Sequence, residues 1–507
     1  MNWSRRDLIR AGGTLGAVSW LPGCGRGRPV PALLRSSVKL PPPFQTALRI
    51  PPVLKPVRSD ADTDYFEMSV QSAEARILPD CSTPIWGYDG VFPGPTVETR
   101  SGRACNLRIR NLLPVPIVNH LHGGATPSES DGYPTDFILP VKAVDRQPMA
   151  MHSGRITLGE REYVYPNRQR ATMLWYHDHR MDFTGAQVWR GLAGLYILRD
   201  EEEDSLHLPR GDKELPLVIC DRAFDRAGAF IYPSMDPSLS YMPGVTAAYM
   251  GGVLGDAILV NGTPWPRHQV SNTRYRLRVL NASNARRYEL ALHPPPPPPA
   301  FLQIGSDGGL LEVPVRLKTV RVAPAERFDL IVDFSRYPVG STVKLVNLAS
   351  SGSTADVMRF DIVRNEKDES FVPGRLSGGP PVDASQAVAE REFDFGYDRP
   401  SGTWTVNGKP FDEARADALP RLDSVEIWRL RSDFNHPVHL HMVQFRVLSH
   451  GGPPGRWDAG WKDTVDLEPG RAASILIRFT GYRGKYVFHC HNLEHEDMAM
   501  MANFEVI

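Results

Sequence analysis

Cysteine is scarce in this sequence: Cys24, Cys81, Cys105, Cys220 and Cys490 are all there is among 507 residues. So few cannot staple a chain of this length, and a packed core has to hold the fold. Spacing does not decide whether Cys81 and Cys105 pair. Cys220, in the apolar run 215–220, reads as a small buried hydrophobe. Net charge is missing too, with 58 basic side chains against 58 acidic ones. That removes the usual signature of a nucleic-acid partner or an anionic membrane surface. No apolar stretch is long enough to be a permanent membrane anchor. Helical periodicity is weak, and 46 prolines and 43 glycines are scattered throughout, as in chains of many short strands joined by turns. A hydrophobic content of 41% is ordinary for a globular protein, and the length suits about three domains.

Histidine is where the chemistry gathers. Of 15 histidines, ten fall in a few short windows, and eight of these form four His-x-His pairs: His120/His122, His177/His179, His439/His441 and His489/His491. Side chains alternate faces along a strand, so residues two apart point the same way. Each pair can therefore offer two imidazoles to one site. Cys490, between His489 and His491, must point the other way, toward a second site. His436 precedes His439 by an odd offset and faces opposite to His439 and His441. His495 and Met500 follow Cys490 closely enough for a loop to wrap back onto the same point.

Zinc is the competing metal, since imidazole suits it as well. A structural zinc site, however, closes with four ligands and has no use for eight histidines. Two histidines, one thiolate and a weak axial methionine are the ligand set of a blue-copper electron-transfer site. Copper is therefore expected at two places, linked through the backbone of Cys490.

Three stretches repeat a pattern. Asp89-Gly90, Asn261-Gly262 and Asn407-Gly408 each precede a strand-like run (106–111, 275–281 and 425–430) and a closing run (194–199, 358–364 and 502–507). Asn-Gly and Asp-Gly are hairpin signals, and closely spaced short strands argue for a β-sandwich per repeat. The expected domains are 63–205, 206–375 and 385–507. The middle one has no histidine pair, so a single site using all eight imidazoles must lie where the first and third domains face each other. Six consecutive prolines, Pro294–Pro299, read as an extended surface spacer. Residues 1–24 have the layout of an export signal, and Ser4-Arg5-Arg6-Asp7-Leu8-Ile9-Arg10 resembles the twin-arginine motif. A periplasmic or extracytoplasmic location is expected, with membrane attachment only if Cys24 is lipidated. Residues 25–62, rich in proline, read as a linker or a strap over the surface.

The runs His120-Leu121-His122-Gly123, Trp175-Tyr176-His177-Asp178-His179, His436-Pro437-Val438-His439-Leu440-His441 and His489-Cys490-His491, followed by His495 and Met500, resemble the multicopper oxidases. The resemblance spans about residues 60–507 and leans toward the bacterial spore-coat laccase and bilirubin oxidase branch, as in Gly305-Ser306-Asp307-Gly308-Gly309 and Glu494-His495-Glu496-Asp497. It implies an all-β fold of three cupredoxin-like Greek-key β-sandwich domains and four copper ions. His436, Cys490, His495 and axial Met500 would take the type 1 copper; His120 and His439 the type 2 copper. His122, His177 and His179 would take one type 3 ion, and His441, His489 and His491 the other. Asp131 and Glu496 sit at positions that resemble the family's proton-relay acids; hydrogen bonding to ligand histidines is the blander role open to both.

The implied activity is a laccase-like coupling of one-electron oxidations to reduction of O2 to water, by a monomer. Its small reducing substrate would be a phenol, an aminophenol, a bilirubin-like tetrapyrrole or a metal ion. An axial methionine implies a moderate type 1 potential for the family, which favours such easily oxidised donors. A cuprous oxidase would carry a methionine-rich insert, and the 14 methionines form no such run. A copper-free periplasmic scaffold is disfavoured by the complete ligand set. Trp457 and Trp461, in segment 450–462, are candidates for the substrate rim or for packing.

Overall fold

Alternating burial along the strands produces three successive pairs of β-sheets in the computed structural model, which describes residues 29–142, 153–379 and 382–507. The expected export signal and Cys24 lie outside the described residues. Five- and four-stranded sheets built from 58–199 face each other. Seven- and five-stranded sheets follow over 214–364, and five- and four-stranded sheets over 387–506. A cluster of buried aliphatic and aromatic side chains fills each sandwich. Among the described residues no helix is long and apolar enough to cross a membrane.

The repeated turns are what their chemistry dictates. φ is positive at both residues of Asp89–Gly90 (50°, 68°), Asn261–Gly262 (50°, 74°) and Asn407–Gly408 (52°, 69°). Asn, Asp and Gly tolerate this left-handed backbone at least cost. The described part of the proline-rich lead-in is woven between the first two sandwiches. Ala32–Leu33 pairs in parallel with Val253–Leu254 of the second sandwich. Ala47 then bridges Arg267, Val53 bridges Thr96 of the first, and Arg58–Ser59 joins the first sandwich's sheet beside Tyr65 and Asp64. Of the six prolines Pro296 is buried and the others are exposed or half-exposed, and Arg336 Nη1 donates to the Pro297 and Pro299 carbonyls (2.7 and 2.6 Å). Cys81, Cys105, Cys220 and Cys490 are free thiols, so Cys81 and Cys105 are not bonded.

The elements that position the site are few. In the first sandwich β1 (Asn119–His122) lies antiparallel to β2 (Thr172–Asp178), and helix α1 (Thr184–Arg190) follows. The second sandwich contributes β3 (Arg327–Asp333). In the third, β4 (His436–Leu440) runs between β5 (Thr464–Leu467) and β6 (Gly484–Cys490). The short helix α2 (Leu493–Asp497) and β7 (Met501–Val506) complete it.

Candidate metal centre

Strand register sets the two faces. Across β4 and β6, His439 stands opposite His489 while Val438 stands opposite Cys490, so the histidines project to one side and the cysteine to the other. Across β1 and β2, His120 stands opposite His177. His179, His441 and His491 each lie one residue beyond their strand's end, yet still face their partners.

All eight paired histidines are buried and meet between the first and third sandwiches, with the second beside them. His120 stacks on His441 (centroids 3.8 Å apart) and His122 on His439 (3.5 Å), one ring from each sandwich. His489 Nε2 lies 3.3 Å from both His179 Nε2 and His441 Nε2. His122, His177 and His491 gather on the other side, with centroids 5.0 to 5.8 Å apart. The resemblance implied a division of the type 3 ligands by domain. The geometry divides them differently: His179 joins His441 and His489, and His491 joins His122 and His177. The two sandwiches meet along the line of the strand ends, so each trio draws on both.

These rings fit a cation and little else. Desolvation holds His120, His122, His177, His441, His489 and His491 well below the ordinary imidazole range, and His179 at about 4. Neutral rings carry a free lone pair. His120 Nε2, His122 Nδ1, His177 Nε2, His439 Nε2 and both nitrogens of His491 are buried without a hydrogen-bond partner. Buried unsatisfied nitrogens of this number are costly unless a metal takes their lone pairs. The far nitrogens are held instead: His120 Nδ1 by the Asp131 carbonyl (2.6 Å) and His177 Nδ1 by that of Asp178 (2.9 Å). His439 Nδ1 is held by the Asp463 carbonyl (2.9 Å). Such outer contacts orient metal-binding imidazoles.

The second site forms on the opposite face of β6. Cys490 Sγ lies 3.3 Å from His436 Nδ1 and 3.6 Å from His495 Nδ1, and the two imidazole nitrogens are 3.1 Å apart. Met500 is buried in the same cluster as Cys490, and its carbonyl accepts the Cys490 N–H (3.1 Å). Desolvation pushes the Cys490 thiol well up; a coordinated cation reverses that by stabilising the thiolate.

Between Cys490 and Met500 the expected loop is the helix α2, and four consecutive residues on it serve four purposes. Glu494 accepts from Tyr232 Oη (2.9 Å), Asn284 Nδ2 (2.8 Å) and Val253 N (2.9 Å) of the second sandwich. His495 faces Cys490. Glu496 turns back to His489 Nδ1 (3.1 Å) and His179 Nδ1 (3.4 Å). Asp497 accepts from Thr184 N and Gly185 N of α1 (2.7 and 2.9 Å). Asp131, at the far side of the cluster, reaches His441 Nδ1 (2.8 Å). Burial raises both the Asp131 and the Glu496 carboxyls, which suits groups that hold protons.

Sequence reasoning missed several residues. Trp404 stacks on His495 (3.7 Å, 27°) and donates its indole N–H to the Met250 carbonyl (3.2 Å). Asp463 Oδ1 meets His122 Nε2 (3.1 Å), and Arg327 pairs with Asp463. Only the adjacency of Lys462 and Asp463 to Thr464, where the largely buried β5 begins, could have signalled the second group. Trp461 is buried, whereas Trp457 lines a cavity of about 340 Å³ with Arg321, His450 and Arg471.

Two models of the family described as "multicopper oxidase" match the chain, over residues 69–203 and 386–507. A laccase of Bacillus subtilis is 36% identical, covering 91% of this chain and 98% of that protein. A bilirubin oxidase of Albifimbria verrucaria is 34% identical, covering 91% of this chain and 81% of its own. The crystal structure of a laccase from Pediococcus acidilactici superposes with a TM-score of 0.79 at 31% identity, over 94% of this chain and 96% of that one. With its two copper-type faces on one strand and these relatives along nearly its whole length, the chain belongs to the multicopper oxidases and is a laccase-like oxidoreductase of that family.

Proposed function

We propose that four copper ions complete the centre, one at His436, Cys490, His495 and Met500 and three among the eight paired histidines. The observation that carries this is the division of β6: Cys490 faces one site while its neighbours His489 and His491 face the other. Bound copper would supply one-electron acceptance at the thiolate site and dioxygen reduction at the histidine cluster. The chain's own part is to connect and to protonate. Cys490 joins both histidines through single peptide bonds, a covalent bridge from the donor side to the oxygen side. Glu496 and Asp131, buried and touching histidines of the cluster, are placed to hold protons that reduction of O2 to water consumes. Trp404 stacks on His495 and donates to the Met250 carbonyl, and the Gly251 carbonyl accepts from Asn492, so this segment walls the thiolate site.

The relatives' names favour phenolic or bilirubin-like donors. Low-valent metal ions are the second class, favoured by the thioethers of Met235 and Met242, both exposed in the segment that leads to Met250. Export by the twin-arginine-type leader, periplasmic residence and a monomeric state belong to the same proposal, resting on the run from Ser4 to Arg10 and on the absence of any need for a second chain at the site. Cys490→Ser tests the core of it. The copper-loaded parent should show the blue thiolate-to-copper absorption and consume O2 with a phenol, with bilirubin or with Cu(I). The variant should be colourless and inert. Undiminished O2 uptake by the variant would overturn the assignment.

A further inference from the structure

The middle sandwich holds no paired histidine, yet it reaches the cluster. Arg327, the first residue of β3, is buried, and its guanidinium spends all five N–H donors on three domains. Nε donates to the Met173 carbonyl of the first (3.1 Å). Nη1 donates to its own domain's Ala325 carbonyl (3.1 Å) and to Asp463 Oδ1 of the third (2.7 Å). Nη2 donates to the Asp307 carbonyl (3.2 Å) and to Asp463 Oδ2. Asp463 passes the constraint on. Its Oδ1 meets His122 Nε2 (3.1 Å) and accepts from Thr464 Oγ1 (2.9 Å), and its carbonyl meets His439 Nδ1 (2.9 Å).

The chain keeps room for this pair. Gly123, directly after His122, has φ +81°, and a Cβ there would come within 2.6 Å of both Arg327 Nη2 and Asp463 Oδ2. Behind the pair, Asp307 accepts from Arg327 N (2.7 Å) and lies 3.1 Å from the buried Lys462 Nζ. Desolvation would raise the Asp463 carboxyl, but Arg327 outweighs it and holds the group well below the usual range.

A buried ion pair is weak evidence for stability as such; here its geometry points at a ligand. Because Nε2 of His122 is engaged by the carboxylate, the atom left for the cluster is Nδ1, which is buried and has no protein partner. His120, His177 and His439 have the opposite arrangement, with Nδ1 engaged and Nε2 left over. We propose that Arg327, through Asp463, is a positioning residue that fixes His122 with Nδ1 toward the cluster and steadies His439 beside it. This rests on the copper assignment above. Lysine cannot replace the arginine, because an ammonium has three donors and no planar fork to match the carboxylate.

Arg327→Lys and Asp463→Asn test it in the copper-loaded protein. Both should keep the blue absorption of the Cys490 site and its reduction by a phenol without O2. Both should lose cluster copper to a chelator about ten- to a hundredfold more readily than the parent, with an altered EPR signal from the unpaired copper. A merely structural role would lower the melting temperature and leave copper retention and EPR unmoved, and that result overturns the proposal. If Arg327→Lys does not fold, Asp463→Asn, which keeps the shape of the pair, decides. If neither folds, the pair specifies domain assembly and the proposal is again overturned. A parent protein without blue colour would instead bring down the copper assignment itself.

Discussion

At the scale of the residue, Glu496 is the clearest case of one side chain asked to do two things. It touches His179 and His489, and burial keeps its carboxyl raised. Glu496→Gln keeps shape and one acceptor oxygen but cannot release a proton. Turnover with O2 is expected to fall by about 10²- to 10⁴-fold, while anaerobic bleaching of the blue band by a phenol stays at the parent rate. Equal loss in both measurements would assign Glu496 to orientation alone. The histidines themselves were legible because i and i+2 on a strand share a face, and that parity alone separated Cys490 and His436 from the pairs. Asp463 and Arg327 were not, because they lie 136 residues from one another and Asp463 lies 341 residues from the His122 it touches. No local pattern encodes such a contact. The partition of the type 3 ligands was illegible for the same reason: His179 meets His489 across 310 residues, a meeting decided by how two sandwiches dock.

At the scale of the element, the seam between the first and second sandwiches is an ion cluster. Glu203, on a helix over Glu201–Ser205, receives Arg276 and Arg278 from the strand Arg274–Asn281 (both 2.7 Å) and Arg199 (3.0 Å). Desolvation alone would raise its carboxyl, but Arg278, Arg276 and Arg199 outweigh that and bring it from 4.5 to about 2. A carboxyl lowered in the folded state stabilises fully above its unfolded value, and the contribution fades as pH falls from 4.5 toward 2. Glu203→Gln should therefore cost about 3–5 kcal/mol at neutral pH, and the gap between variant and parent should close in acid. Urea midpoints at pH 7, 4 and 3 give the comparison; a gap that is constant with pH contradicts the assignment. The strands around this seam were visible in the turn dipeptides and alternating residues, but the short helix that carries Glu203 was not. The strap was seen only as proline-rich sequence, since single bridges such as Ala47 to Arg267 leave no periodicity.

At the scale of the whole molecule, a histidine cluster shared by two sandwiches makes copper a fastener as well as a reactant. A ligand that binds only the folded state adds RT ln(1 + [L]/Kd), about 2.7 kcal/mol at a hundredfold excess over Kd. Chelating copper is expected to lower the melting temperature and to speed amide exchange at β1 and β6, leaving the strands of the second sandwich protected. Uniform loss of protection across all three sandwiches would mean that the cluster does not bear on the seam in particular.

The same sharing separates two kinds of robustness. Every group from His436 to Met500, and the peptide links from Cys490 to its flanking imidazoles, sits in one sandwich and moves as one body. The oxygen side is divided between two bodies that can shift against each other. Heat, pressure or a loosened strap should therefore blunt the response to dioxygen long before they disturb the uptake of electrons, and a partly worn protein would still accept charge that it can no longer discharge.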